Sequence, residues 1–400
     1  MKSTLTIIFF VFTSIANAQD QWVLKDSIKG APRSVASSFV VGGEGYALCG
    51  LDGEGFRRKA YSYTYWQDDW DNEPSLGGLN GAGLNRGSAS AFAINEKGYI
   101  CLGQGVTNAF FNDLWEFDPV SDTWTQKASF IGSPRRQSVG FAIDSYGYVG
   151  LGVDDTGFQK DMYRYSPATN SWTQLSDFGG TGRKEAVGFT MGGQAYVGTG
   201  DDGVMRNDFW QYEPTTDTWI QKADFPGTPR KGAVGWGTFP QAFIATGEDI
   251  GFNYTNDVWE YNYFSDTWVQ RADFLGSGRT SAIAFVIQGV AFLGSGYNGE
   301  FLDDLYAYRR VLDVNELEQY TDVNLYPNPA NDNISISVDP TDLVASVITL
   351  QGKDITNSIE VNSTMAGFQI NRGSLPSGNY LINLTHKEFG SVFQGRIVFL

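Results

Sequence analysis

Apolar residues in the first three quarters of the chain fall in short runs of strand length, separated by glycine-rich turns and polar loops, with almost no helical periodicity. Residues 186–191 (AVGFTM) and 195–199 (AYVGT) read as two strands joined at Gly192-Gly193, a tight turn of positive φ. Residues 209–213 (FWQYE) and 218–222 (TWIQK) read as two more, with Pro214 opening the turn between them. A sheet of four such strands is too small to stand alone and must bury its faces against neighbours.

The unit recurs. Eleven positions separate a tryptophan from the next arginine at Trp22 and Arg33, Trp124 and Arg135, Trp172 and Arg183, Trp219 and Arg230, and Trp268 and Arg279, and sixteen at Trp70 and Arg86. Successive arginines stand 53, 49, 48, 47 and 49 residues apart, a period that fits propeller blades of four strands. Five residues after the arginines come Ser38, Ala91, Gly140, Gly188, Gly235 and Ala284, all small; beside them stand Phe39, Phe92, Phe141, Phe189, Trp236 and Phe285, all aromatic. Small residues suit strands crowding round an axis, and aromatics fill the wedges between sheets. Six such first strands predict an all-β, six-bladed ring.

Residues 21–25 hold a tryptophan strand with no third strand before it, and residues 282–287, 290–293 and 304–308 hold three strands with none after them. The N-terminal strand is therefore expected to complete the last blade and leave no unpaired edge at the join. The first unit is irregular. Lys59 replaces the acid found at Asp113, Asp161, Asp208, Asp257 and Asp304, and the longest connection, between Trp70 and Arg86, follows.

These features resemble Kelch repeats. The resemblance is carried by the glycine-rich second strands (GYICLG at 98–103, GYVGLG at 147–152), the third-strand aromatics Tyr163, Trp210 and Trp259, and the fourth-strand tryptophans. It spans residues 19–310 and implies a β-propeller, with no activity attached.

A formal charge of −17 sets aside nucleic acid and anionic membranes as partners, because both demand clustered Lys and Arg. Residues 1–18 carry Lys2, an apolar run and Ala16-Asn17-Ala18, which reads as a secretory signal peptide; no other stretch is long and apolar enough for a transmembrane segment. Cys49 and Cys101 fall in second strands of adjacent units, one position out of register. Packed sheets lie about 10 Å apart, so two buried thiols are favoured over a disulfide.

The aromatic repeat stops near residue 311, and an acidic linker (311–321) leads to a smaller all-β region, residues 322–400, read as a β-sandwich. Its opening YPNPAND (326–332), its Gly352-Lys353 turn and its LPSGNYL segment (375–381) resemble the C-terminal sorting domain of type IX secretion cargo, although Thr349 stands where such domains usually have Asp. The resemblance implies passage into the periplasm, recognition by the type IX secretion machinery, and a protein secreted or left on the outer-membrane surface.

Candidate chemistry collects at one mouth of the expected ring. Arg33, Arg86, Arg135, Arg183, Arg230 and Arg279 open the six first strands, and the loops between second and third strands end on the same face. Those loops carry Asp52, Asp154, Asp155, Asp201, Asp202, Glu248, Asp249 and Asn298, with Phe56, Phe110, Phe158, Met205, Phe252 and Phe301 nearby. Arginines, carboxylates and aromatics together suit a sugar- or peptide-binding surface. A feature present in every unit reads as architecture ahead of a site, each arginine fastening to a neighbouring blade's carboxylate or carbonyls, which leaves the loops that differ as the better candidates. The recurrent Asp before the third-strand aromatic (Asp113, Asp208, Asp257) reads as a turn cap or as the partner of a backbone amide. Calcium at Asp68-Asp69-Trp70-Asp71 or at Asp154-Asp155 is conceivable, though neither follows a spaced calcium loop, and no other cofactor is indicated.

The sole histidine, His386, lies in the C-terminal region, so the repeat region offers no imidazole for copper or as a base, which sets aside a copper oxidase of the galactose-oxidase kind. Two functions remain: a secreted module binding an extracellular protein or glycan, or a glycan-active enzyme of mutarotase, lyase or hydrolase type using arginines and carboxylates at the channel mouth.

Overall fold

The computed structural model describes residues 20–309 apart from 82, and residues 324–399 apart from 327–329, 338–342, 350–354, 357–358, 365–366, 374 and 387–389. The signal peptide, the linker, Pro327-Asn328-Pro329 and the Gly352-Lys353 turn lie outside the described residues. Residues 21–309 form one compact unit and the C-terminal region belongs to another.

In the larger unit the described residues build six four-stranded antiparallel sheets. The fourth sheet comprises Val187–Met191, Gln194–Gly198, Phe209–Glu213 and Thr218–Lys222 in that order, within one residue of the strands read from the sequence. Strand alternation buries Val187, Phe189 and Met191 and turns Gly188 toward a central cavity. The sixth sheet takes its outermost strand from the other end of the chain: Gln21–Lys25 pairs with Phe301–Arg309, Trp22 opposite Tyr308. Trp22 stacks edge-on against Phe274 at 4.9 Å.

First strands lie side by side in a closed cycle, the sixth (Ile283–Ile287) against the first (Ser37–Val41). They enclose a cavity of about 220 Å³, lined in part by the six small residues at 38, 91, 140, 188, 235 and 284. Crowding explains their size: a Cβ on Gly235 would stand 2.5 Å from Val187, and one on Gly140 2.9 Å from Ser90.

The neighbouring aromatics hold the sheets together. Phe39, Phe92 and Phe285 cover Gly98, Gly147 and Gly45 of the following sheet, so closely that a Cβ there would come within 2.2–2.3 Å of the ring. Each first-strand ring also stacks on a second-strand ring of its own sheet, centroids 5.1–5.8 Å apart. Such a pair contributes about 1 kcal/mol beyond its burial.

Backbone hydrogen bonds run round the same cycle. Gly50, Gly103, Gly152, Gly200 and Gly247 each donate N–H to the carbonyl of the next arginine, and Gly296 donates to Arg33, at 2.7–2.9 Å. All six have φ between 91 and 114°, where a side chain would be strained. Cys49 precedes the first of them; it and Cys101 are buried, free thiols, and burial pushes Cys49 up to about 12.

The C-terminal unit has a four-stranded sheet (Asn324–Tyr326, Asn333–Ser337, Gly367–Asn371, Glu360–Thr364) and a three-stranded sheet (Leu343–Thr349, Gly378–His386, Gly390–Phe399). Ile334, Ile336, Phe368 and Ile370 from the first share one core with Val347, Ile382, Ile397 and Phe399 from the second.

Candidate functional site

The six arginines are buried, and their guanidinium groups turn into their own sheets. Arg86 meets Asp113 through two bonds of 2.6 and 2.7 Å. Arg135 pairs likewise with Asp161, Arg183 with Asp208, Arg230 with Asp257 and Arg279 with Asp304. All six also donate to the carbonyl sixteen residues on, at 3.0–3.2 Å. Arg33, opposite Lys59, has no carboxylate ion pair among the described residues and lies over the Tyr61 ring at 5.1 Å.

The recurrent acids are therefore ion-pair partners rather than turn caps. Asp113, Asp208 and Asp257 also accept from the indoles of Trp115, Trp210 and Trp259 at 2.7–2.8 Å. Each acid belongs to the arginine's own sheet, not to a neighbour's: Asp113, Asp161, Asp208 and Asp257 immediately precede the third strand and Asp304 lies within it, beside the end of the second strand.

Bridges between Lys184 and Asp201, Arg136 and Val153, and Thr280 and Tyr297 set the arginine end of each first strand against the loop between second and third strands. The loop carboxylates thus share one end of the sheets with the arginines; Asp155 is exposed, and the following ones are bonded locally. Asp52 accepts from Arg57 at 2.6 Å and from the Glu54 amide. Asp154 accepts from Ser133, Thr156, Gly157 and Gln159; burial alone would raise its pKa, but these bonds, those from Ser133 and Thr156 foremost, bring it down to about 2. Burial likewise opposes, and donation from Arg206 and Thr181 outweighs, so that Asp202 sits below the usual carboxylate range. Asn253 and Gly251 hold Asp249 low, and Glu248 pairs with Lys231 at 3.4 Å.

The two calcium candidates are tied up in the same way. Asp68 accepts from Tyr63 at 2.7 Å and from the Asp26 amide, and among the described residues no group of three or more His, Cys, Asp and Glu is placed to hold a metal.

Exposed apolar side chains stand at the tips of these loops. Phe252 is 76% and Ile250 70% exposed, with Val106, Phe158 and Val204 on other sheets exposed as well. Phe158 and Phe252 were expected here; Val106, Val204 and Ile250 escaped the sequence reading because an isolated aliphatic residue in a loop carries no periodic signal. Two further groups were missed. Gln137 and Glu185 rim a cavity on the axis, and Arg372 ties the two sorting-type segments together by donating to the carbonyls of Asn331 and Leu375 at 3.1 and 2.8 Å.

Residues 324–398 match the family described as secretion system C-terminal sorting domain. The C-terminal segment is a sorting domain. It places the protein among cargo exported by the type IX system, at the cell surface or outside the cell, and no helix among the described residues is long and apolar enough to cross a membrane. No curated protein matches the chain. Among solved structures, the one titled "Structure of YjhT" is similar at a TM-score of 0.59 and 16% identity, over 71% of this chain and 96% of that one. At that identity the likeness is one of fold, a propeller-like one. In all, 596 solved chains match, and a likeness of fold assigns no activity.

Proposed function

We propose that residues 21–309 are a six-bladed Kelch propeller, closed by the strand Gln21–Lys25, that the sorting domain carries outside the cell as a binding module for an extracellular protein or glycan. The observation that carries this reading is the contrast within one face. What recurs from sheet to sheet is internally bonded, a buried arginine with a buried or half-buried acid, whereas what varies, the loop tips, exposes apolar side chains next to ionised carboxylates. An exposed apolar patch rimmed by polar groups is the usual signature of an interaction surface.

Binding is favoured over glycan-directed catalysis because a general acid needs a pKa near the working pH. Asp52, Asp154, Asp202 and Asp249 are all held below the ordinary carboxylate range, which suits them as charged acceptors. The test is glycan-array and surface-protein binding by the secreted chain, with turnover of bound glycans assayed in parallel. Phe252→Ala with Ile250→Ala is expected to weaken binding about tenfold or more, the scale of losing central apolar anchors, and to leave the unfolding temperature unchanged. Turnover abolished by Asp202→Asn in a folded protein overturns the binding-only reading.

A further inference from the structure

Two residues past each arginine the chain passes through the left-handed region, at Val35, Ser88, Gln137, Glu185, Gly232 and Ser281, with φ from 48 to 62°. Each N–H donates to the carbonyl of the preceding member, and Val35 to Ser281, which closes a circuit of six hydrogen bonds of 2.8–3.1 Å. The circuit rims a cavity of about 140 Å³ on the axis. Backbone conformation here is the same six times over while the side chains differ at nearly every step. Architecture explains the former and leaves the latter free for recognition.

One arc of the rim carries buried polar atoms with nothing to bond. Gln137 donates its amide to Glu185 Oε1, yet Gln137 Oε1, Glu185 Oε2 and the adjacent Ser138 Oγ have no partner, and all three residues line the cavity. Leaving such atoms unmatched is costly. All three can accept, and a primary ammonium offers three donors and no acceptor. The nearby lysines do not fill the role: Lys184 is 3.7 Å from Asp201 and Lys231 3.4 Å from Glu248, so each already has its own acid. Beside Glu185 the rim position is Gly232, which leaves that side unobstructed; its φ is +62°, and a Cβ there would stand 2.2 Å from Thr280 Oγ1.

We propose that the rim between Gln137 and Glu185 is a binding site for a primary ammonium group. The site is separate from the loop tips, so either can fail without the other. Burial raises the Glu185 carboxyl pKa, Lys184 and Lys231 oppose it, and Glu248 and Asp201 add to it; an ammonium seated against Oε2 balances the carboxylate in place of a proton. An amino sugar and a lysine side chain share this chemistry, and 140 Å³ is room for the head group rather than for a whole sugar ring.

The experiment is calorimetric titration of the full chain at fixed ionic strength with methylammonium, glucosamine and Nα-acetyllysine, each against its blocked counterpart: tetramethylammonium, N-acetylglucosamine and doubly acetylated lysine. The expected result is binding of the free amines about tenfold or more tighter than of the blocked forms, as for a charge-assisted hydrogen bond, and a similar loss in Glu185→Gln. The glucosamine and lysine arms separate a sugar from a protein source. Blocked ligands that bind as well as the amines, no amine binding at all (water only in the cavity), or unchanged affinity in Glu185→Gln each overturns the assignment. Should Glu185→Gln fail to fold, the comparison of free with blocked amines on the unaltered chain decides alone.

Discussion

At the scale of single residues, the most repeated contact is a buried guanidinium held on both sides by one carboxylate. Removing the acid strands a charge that has no route to water, which costs about 3 kcal/mol or more. Asp208→Ala is therefore expected to lower stability by that amount in urea denaturation, against little change for the exposed Glu54→Ala. The acids also set the pH range. Asp208 and Asp257 are pulled up by burial and further down by Arg183 and Arg230, so their folded pKa values fall below the ordinary aspartate value. A depressed carboxyl stabilises the fold above its unfolded value and loses that contribution as pH falls through the folded one. Thermal stability should thus hold above about pH 4 and decline toward pH 2. Glu185, raised, works in the opposite sense, favouring the fold at low pH and less so as pH rises through its folded value.

At the scale of strands and sheets, the wedge of aromatic against glycine makes a specific demand. Gly98→Val drives a side chain into the Phe39 ring, where even a Cβ comes to 2.2 Å, while a Cβ on Gly53 meets nothing within 4 Å. Gly98→Val should cost about 2–3 kcal/mol and Gly53→Ala almost nothing, as read from unfolding temperatures. Deleting residues 20–26 uncovers the edge of Phe301–Arg309 and the rings of Phe274 and Tyr308. The expected outcome is a lower unfolding temperature and self-association in size-exclusion chromatography, since an uncovered edge invites pairing with another chain. A side-chain clasp also joins neighbouring sheets. Asp217, in the turn before Trp219, accepts from Tyr212 of its own sheet and from the Ser176 amide of the sheet before; Asp266 repeats this with Tyr261 and Ala223. The spacing of tyrosine, acid and tryptophan is constant in the sequence, but nothing in it says that the acid reaches across to another sheet.

At the scale of the whole molecule, export and recognition are carried by different parts. Truncation before Asn324 should leave the protein in the periplasm, and fusing residues 322–400 to a periplasmic reporter should send the reporter out, both read by cell fractionation. Arg372→Ala, which frees the Asn331 and Leu375 carbonyls, is expected to reduce export before it alters anything in residues 21–309. Strand positions, the small residues facing the axis, the aromatic wedges and the sorting segments could all be read from the chain, because each depends on neighbours a few positions away or on a repeated period. Where the arginines point and which atoms remain unpaired on the axis could not. Arg183 and Asp208 lie 25 residues apart and Ser295 bonds the Arg33 carbonyl across 262. The partners in such contacts are chosen when the sheets meet around the axis, and side chains as unlike as Val35, Gln137 and Glu185 take equivalent places there only because the closed circuit of backbone bonds holds them.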